Sequence, residues 1–198
     1  ESECPAGEKA EVRQLARKHF LDSVRREATF IAEQLYERYL YQRSALARQF
    51  PFMMGNDVWK GGSKLAPTDQ VGDVFSSGTL AIGFIGGHNA MVAMYGQGHG
   101  RSDEAWHTLY DAIQVMNEVA QEYKAKHHLN YSVLATPAEG LSGRFTRMDR
   151  KRYGVIPGVN DLDYYVNSFH VDVKEEIGMF EKIRREAPFH AITLGGHI

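Results

Sequence analysis

Two short apolar runs, each followed by a helical pattern, constrain the fold of this chain more than any other feature. The first, GTLAIGFIGG (78–87), is bounded by glycines and precedes a helical segment at 88–95. The second, YSVLA (131–135), follows the clearest helix, at 103–126, and precedes another helix that opens at Thr136. Such runs are typical of strands buried on both faces of a parallel sheet. Their alternation with helices predicts an α/β architecture in one domain.

The other elements are predicted from periodicity and from glycine and proline punctuation. Residues 8–49 predict one long helix or a helical pair, because apolar residues recur at near-helical spacing without Pro or Gly. Four shorter elements are expected: a buried strand in FPFMM (50–54), a strand over Val166–Val173, a helix over 178–188 that stops before Pro188, and a strand at 190–194.

Composition excludes several classes of protein. The formal net charge of −2 argues against a general polycation that binds nucleic acid. One cysteine, Cys4, cannot form an intramolecular disulfide framework or a Cys-rich metal site, and it fits a reducing compartment. No apolar run has the length of a membrane helix, and residues 1–18 do not resemble a signal peptide. A cytoplasmic location is therefore predicted. The chain opens without Met and closes inside an apolar segment, which predicts a piece of a longer or processed protein.

The segment ATPAEGLSGRF (135–145) supports two interpretations. Thr136 as N-cap, Pro137 at the first helical position and Glu139 at the third form a capping box, which explains the segment without any ligand. Alternatively, a helix start at the carboxyl edge of a parallel sheet offers N–H groups to a phosphate. Five basic residues follow against one acidic residue, Asp149: Arg144, Arg147, Arg150, Lys151 and Arg152. Glu139 counts against an anion, because a carboxylate repels phosphate.

Other polar groups favour structural roles. Gly96-x-Gly98-x-Gly100 follows a helix rather than a strand, so a flexible turn is expected there rather than a dinucleotide loop. The nine histidines lack an H-E-x-x-H or Cys-pair context, so no metal site is predicted. His170 is expected to be a buried, hydrogen-bonded imidazole. Four carboxylates are expected to be solvated: Asp161, Asp163, Glu175 and Glu176.

A series of ordered motifs carries a resemblance to a known family. They are Thr136–Glu139, Arg144-Phe145, Gly154–Val159, Tyr164-Tyr165, Asn167–His170, Glu186–Pro188 and Gly195–Ile198, preceded by the 78–100 segment. In this order they closely resemble the large subunit of anaerobic, class III ribonucleoside-triphosphate reductases, which are glycyl radical enzymes. The likeness spans roughly residues 20–198.

The resemblance implies a fold and a reaction. The family fold is a ten-stranded α/β barrel of the glycyl radical enzyme type. Residues 1–198 would form a single partial barrel domain, largely helical over 1–49 and built of strand–helix units over 50–198. The family converts ribonucleoside triphosphates to 2′-deoxyribonucleoside triphosphates. A radical-SAM activase makes a glycyl radical, which passes to a cysteine thiyl that abstracts the 3′ hydrogen, and formate is the reductant. The implied partners are the substrate, the activase and a second copy of the full-length protein.

The resemblance also assigns a binding loop. The Thr-Pro-Ala-Glu turn corresponds to the family's seat for the substrate phosphates, which selects these residues: Thr136, Pro137, Ala138, Glu139, Gly140, Leu141 and Ser142. Asn167 and Ser168 are further candidates for contact with the substrate. No catalytic residue is assigned.

The sequence also departs from the family pattern. The glycyl-radical motif, near RVCGY, and the four-cysteine structural zinc site are absent and are expected beyond residue 198. The context of Cys4 does not match the loop of the thiyl cysteine, so this chain by itself is not expected to run the reaction. Two alternatives stay open: a non-catalytic α/β module that binds nucleotides or anions, and an unrelated α/β enzyme acting on a phosphorylated metabolite. A part of a barrel is expected to show an open sheet or dimer contacts along a sheet edge.

Overall fold

The computed structural model describes the backbone of residues 6–196 and the side chains of residues 10–196. Cys4, His197 and Ile198 lie outside the described residues, so the expectations that concern them are not addressed. In chain order the elements are α1 (Ala6–Ser44), α2 (Pro51–Gly55), β1 (Thr79–Phe84), α3 (Gly87–Tyr95), α4 (Asp103–His127), β2 (Asn130–Ala135), α5 (Glu139–Tyr153) and α6 (Met179–His190). Short 3-10 turns lie at Ala47–Gln49, Gly62–Lys64 and Gly72–Phe75.

The two strands form a parallel pair, as the alternation of strands and helices predicts. The register runs from Thr79 opposite Asn130 to Phe84 opposite Ala135. Helices α3 and α4 make the crossover between the strands. The prediction that the strands are buried on both faces is confirmed only in part for β1, because Leu80 and Ile82 are buried while Thr79 is exposed. Within the part of the chain that is described, β1 therefore has one covered and one partly open face.

Helix α1 is one continuous helix, which decides between the two predicted arrangements. Its most buried residues are small, with Ala28 and Ala32 exposed by only 2% and 0%, and the helix packs on α4 and β1. Small side chains allow this close approach, and the hydroxyl of Tyr131 donates to the carbonyl of Ala32 at 3.2 Å. Two residues of the predicted apolar stripe, Leu15 and Ile31, are instead exposed at 56% and 37%.

Three local predictions at the loops and at the chain end are wrong. FPFMM does not form a strand, because Pro51 takes the first position of the short helix α2, where its missing N–H is not needed. Helix α6 does not stop before Pro188 but continues to His190. The 190–194 strand is absent because the amides of Ile192 and Thr193 turn back to the carbonyl of Phe189.

The strand predicted over Val166–Val173 is also absent. A single antiparallel bridge joins Asn167 to Ile85, and the segment is otherwise irregular. Ser168 has a φ of +42°, which an extended strand cannot accommodate. Side chains from α3, the 96–102 loop and α6 hold this segment instead of a strand ladder.

The sheet is open in the described residues, as predicted for a part of a barrel. Strand β2 also makes two backbone hydrogen bonds with residues 195–196: Gly195 donates to the carbonyl of Val133 at 2.7 Å, and Ala135 donates to the carbonyl of Gly196 at 3.0 Å. The ten-stranded barrel stays a prediction. Of the helices described here, none combines the length and the apolar character needed to cross a membrane.

Candidate functional site

The turn between β2 and α5 differs from the predicted capping box. Helix α5 begins at Glu139, and its N-cap position is Ala138, which offers no side-chain acceptor. Thr136 lies two residues before that position, and its hydroxyl donates to the carbonyl of Leu134 at 3.3 Å. A Cβ on Gly83 would lie 2.2 Å from Thr136 Oγ1, so the threonine packs directly against β1. The capping box is therefore wrong, because Thr136 is fixed on the sheet rather than on the helix.

The start of α5 is uncapped and open to solvent. The amide of Ser142 donates to the carbonyl of Ala138 at 2.9 Å, which is the first hydrogen bond of the helix. The three preceding helical amides, from Glu139 to Leu141, have no acceptor within the helix. Pro137 and Gly140 are exposed, and a Cβ on Gly140 would meet no atom within 4 Å. These amides are therefore available to an anion.

Four of the five basic residues of α5 are exposed: Arg144, Arg147, Lys151 and Arg152. The fifth, Arg150, is used by the protein itself. Its guanidinium donates to the carbonyls of Asn160 and Leu162 and contacts Asp163 Oδ1 at 3.3 Å. Arg147 reaches back toward the helix start, since its Nη1 lies 3.5 Å from where a Cβ on Gly143 would stand. Arg144 and Arg147 are therefore the exposed cations nearest the helix start, whereas Lys151 and Arg152 lie in the last turn, at the negative end of the helix dipole.

A cavity of about 350 Å³ lies beside the start of α5. It is lined by Ser142, Tyr164, Tyr165, Val166, Asn167, His170, Val171, Asp172, Val173 and Lys182. The fold thus brings together two residues far apart in the sequence, Ser142 of the turn and Asn167. Ser168 is only 1% exposed and turns away with its left-handed backbone.

Two contacts tie the cavity wall to the helices. The hydroxyl of Tyr165 donates to Asp149 Oδ2 of α5 at 2.6 Å, and burial together with that carboxylate raises the pKa of the phenol. On α6, Glu186 accepts from the amide of Val171 at 2.8 Å and lies 3.5 Å from His170 Nδ1. Burial opposes ionisation of Glu186, but these partners outweigh it and lower its pKa. His170 is half-buried and paired, close to its predicted environment, but it does not lie on a strand.

A second polar cluster next to the cavity, formed by His88, Asp172 and Glu175, was not predicted from the sequence. Glu175 is not solvated as predicted, since its side chain is 13% exposed and its Oε1 lies 3.7 Å from His88 Nδ1. Asp172 Oδ2 lies 4.0 Å from the other nitrogen of His88. Burial lowers the pKa of His88 and raises that of Glu175. The feature of the sequence that could have indicated this cluster is the glycine triplet at 96–100, of which Gly98 and Gly100 are buried and tightly packed.

Glycines of this loop make room for the cluster. A Cβ on Gly98 would stand 2.3 Å from His88 Cε1 and 2.4 Å from Glu175 Oε1. A Cβ on Gly100 would stand 2.1 Å from Glu175 Oε2. No group of three or more His, Cys, Asp or Glu side chains within the described chain is arranged to hold a metal.

His99 holds the irregular segment from inside the core. Its Nε2 donates to the carbonyl of Phe169 at 2.7 Å, and the residue is fully buried. Burial lowers the pKa of His99 to about 4. The imidazole is therefore neutral at pH 7 and serves as a neutral donor.

We expect the stability of the protein to fall as acid protonates this imidazole. In the unfolded chain the group titrates near its ordinary pKa of about 6.5, so the unfolded state binds more protons between about pH 6.5 and pH 4. The stability that the buried neutral imidazole contributes is complete above the pKa of the unfolded state and is lost as the pH falls toward the pKa of the folded state. The expected loss from this residue is about 2 kcal/mol between about pH 7 and pH 5. Urea unfolding at both pH values would measure it.

The matched control is His99→Gln, which keeps a side-chain N–H donor but does not titrate in this range. Its free energy of unfolding should depend on pH less steeply than that of the wild type. Equal pH dependence in both proteins would show that His99 does not titrate as its burial requires.

Comparison with protein-family models matches residues 9–198 to the family described as anaerobic ribonucleoside-triphosphate reductase. The chain belongs to this family. This membership agrees with the resemblance in the sequence motifs and excludes the alternative of an unrelated α/β enzyme. The anaerobic reductase family also supplies the relatives found by sequence and by structure.

Two curated relatives are the anaerobic ribonucleoside-triphosphate reductases of Escherichia coli K12 and of Enterobacteria phage T4. The first is 34% identical over 140 residues, which cover 69% of this chain and 20% of the relative. The second is 37% identical over 139 residues, which cover 69% of this chain and 21% of the relative. The matched region thus spans about a fifth of the length of these relatives.

Solved structures of the anaerobic ribonucleotide reductase from Thermotoga maritima share the fold. The structure with citrate in the active site has a TM-score of 0.62 at 16% identity, covering 91% of this chain and 31% of the other. The structure in complex with dATP and CTP has a TM-score of 0.61 at the same identity, covering 91% and 28%. At this identity the likeness concerns the fold alone.

Proposed function

We propose that this chain is the part of an anaerobic ribonucleoside-triphosphate reductase that holds the triphosphate of the substrate at the start of α5. The observation that carries the proposal is a helix start without a side-chain cap, formed by exposed residues next to a cavity that Ser142 lines. Helix N-termini suit phosphate because amide donors and the helix dipole act together. The proposed phosphate-binding loop runs from Thr136 to Ser142, the residues that the family resemblance selects.

The roles within the loop are not equal. Glu139, Gly140 and Leu141 supply the amides, whereas Thr136 fixes the turn on β1 through its contact with Gly83. Pro137 and Ala138 lead the chain from the strand into the helix. Ser142 lines the cavity, with its hydroxyl donating to the carbonyl of Glu139 at 3.1 Å. Asn167, which also lines the cavity, is the candidate for contact with the rest of the nucleotide.

The role proposed for this chain depends on the other segments of the full-length protein. In the full-length reductase, β1 and β2 would be two strands of a ten-stranded α/β barrel, and the open edge of β1 would pair with a further strand. The glycyl radical, the thiyl cysteine and the structural zinc would belong to other segments, and formate would serve as reductant. An activase and a second subunit are the proposed partners. The role of this chain is to bind and orient the substrate, not to carry the radical.

Removing positive charge near the start of α5 should weaken the binding of a nucleoside triphosphate. In the full-length protein, the double substitution Arg144→Gln with Arg147→Gln is expected to raise the dissociation constant about 3- to 10-fold, because two partly screened charges are lost. Isothermal titration calorimetry at two salt concentrations would measure it, with a smaller salt dependence in the variant.

Arg184→Gln is the control, since Arg184 lies on α6 with its side chain 80% exposed. It should leave the affinity unchanged. Equal affinities for the triphosphate and for the bare nucleoside would reject the phosphate site. Tight binding by the wild type without reduction, in the presence of activase and formate, would favour the non-catalytic module instead.

A further inference from the structure

The carboxamide of Asn89 lies between two parts of the chain that border the cavity. Asn89 is the third residue of α3 and is only 4% exposed. Its Nδ2 donates to the carbonyl of Val159 at 2.9 Å, and its Oδ1 accepts from the amide of Val166 at 2.9 Å. One side chain therefore makes hydrogen bonds to the carbonyl that precedes the 160–165 loop and to the amide that follows it.

The residues that follow are held by backbone donors of the loop after β1. Gly86 donates to the carbonyl of Val166 at 2.8 Å, and Gly87 donates to the carbonyl of Ser168 at 3.1 Å. Each of these two contacts holds a single carbonyl. The carboxamide of Asn89 differs, since it holds a carbonyl and an amide seven residues apart at the same time and so fixes the two ends of the 160–165 loop relative to each other.

The register of this segment decides which side chain faces the cavity. Val166 and Asn167 both line the cavity, but Val166 is 7% exposed and offers only an apolar side chain, whereas Asn167 is half-buried and offers a carboxamide. Ser168 is 1% exposed and does not line the cavity. A slip of one residue would bring Val166 or Ser168 to the position of Asn167, and neither of these side chains carries a carboxamide.

We propose that Asn89 is a positioning residue that sets the register of the 166–168 segment and thereby turns the Asn167 side chain toward the substrate. The expected effect on kcat rests on the proposed function, whereas the expected effect on the register of the 166–168 segment does not. It predicts that the phosphate contacts at α5 are kept when Asn89 is changed, whereas the orientation of the nucleotide is lost.

Two substitutions in the full-length enzyme test the proposal. Asn89→Leu is similar in size and removes both hydrogen bonds. It should lower kcat about tenfold and change the dissociation constant of the triphosphate less than twofold, because positioning and phosphate binding lie on different elements. Hydrogen exchange should become faster in the peptide that covers 160–170.

Asn89→Asp provides a rescue that a purely structural role would not show. The ionised carboxylate keeps the acceptor for Val166 but faces the carbonyl of Val159 without a donor. Protonation restores an O–H donor, so the ratio of variant to wild-type kcat should rise toward one as the pH is lowered. Groups common to both proteins cancel in that ratio. Asn56→Asp, an exposed asparagine that bonds the carbonyl of Phe52, is the matched control and should change nothing.

Each outcome decides the matter. A kcat of Asn89→Leu within twofold of the wild type, or a pH-independent ratio for Asn89→Asp, would overturn the positioning role. If Asn89→Leu does not fold, the pH dependence of the ratio of Asn89→Asp to wild-type kcat is the deciding measurement. If the wild-type enzyme reduces no nucleotide, the proposed function fails, and hydrogen exchange over 160–170 in Asn89→Asp still tests the register: unchanged exchange would reject it and faster exchange would support it.

Discussion

Glu139→Pro is expected to weaken the binding of a nucleoside triphosphate about 10- to 100-fold relative to Glu139→Gln, the range expected for one hydrogen bond to a charged group. Glu139 is the first helical residue of α5, where proline fits the helix and removes only the amide donor. The preceding residue, Ala138, has φ −93° and ψ 58°, outside the α region that a following proline disfavours.

The comparison with Glu139→Gln separates the amide from the charge. Both substitutions remove the carboxylate, but only proline removes the N–H. Glu139→Gln alone should bind the triphosphate about 2- to 5-fold more tightly than the wild type, since a negative charge near the phosphates is lost. Calorimetric titration of the full-length protein measures all three affinities. Equal affinities of the proline and glutamine variants would mean that this amide does not contact the phosphates.

Gly98→Ala should lower the free energy of unfolding by about 2–4 kcal/mol, because a methyl group is forced into an occupied and buried site. The new Cβ would stand 2.3 Å from His88 Cε1 and 2.4 Å from Glu175 Oε1. His88 is 5% exposed and lies between Asp172 and Glu175. Thermal or urea unfolding would measure the loss.

Gly55→Ala is the matched control for this substitution. Gly55 lies in α2, its φ is not positive, and a Cβ there would meet no atom within 4 Å. Its replacement should be neutral or raise the free energy of unfolding by up to about 1 kcal/mol, since alanine restricts the unfolded chain. If Gly98→Ala behaved like Gly55→Ala, the loop would be a flexible turn, as the sequence alone suggested.

Elements with a strong local signal were predicted well. Helix α4 was expected over 103–126, and it spans Asp103–His127, with the Ser102 side chain accepting from the amide of Ala105 as its N-cap. Both apolar runs became parallel strands. Periodicity and capping are properties of neighbouring residues, so a single sequence displays them.

Elements decided by distant partners were predicted poorly. Thr136 has the residue type of an N-cap, but its contact with Gly83 of the other strand moves the helix start to Glu139. The 166–173 segment has strand-like composition, yet it is irregular, and side chains of Asn89, His99 and Glu186 pair with some of its amides and carbonyls. Glu175 looked solvated, since nothing in its neighbourhood along the chain indicates His88.

The sequence by itself determined the alternation of strands and helices, the place of the β2–α5 turn and the family to which the chain is similar. Only the tertiary structure decided that the start of α5 is uncapped, that Asn167 rather than Ser168 lines the cavity, and that Asn89 and His99 hold that wall. The physical reason is the separation of the partners. Asn89 bonds residues 70 and 77 positions away, and His99 bonds a carbonyl 70 positions away, so no local pattern encodes these contacts.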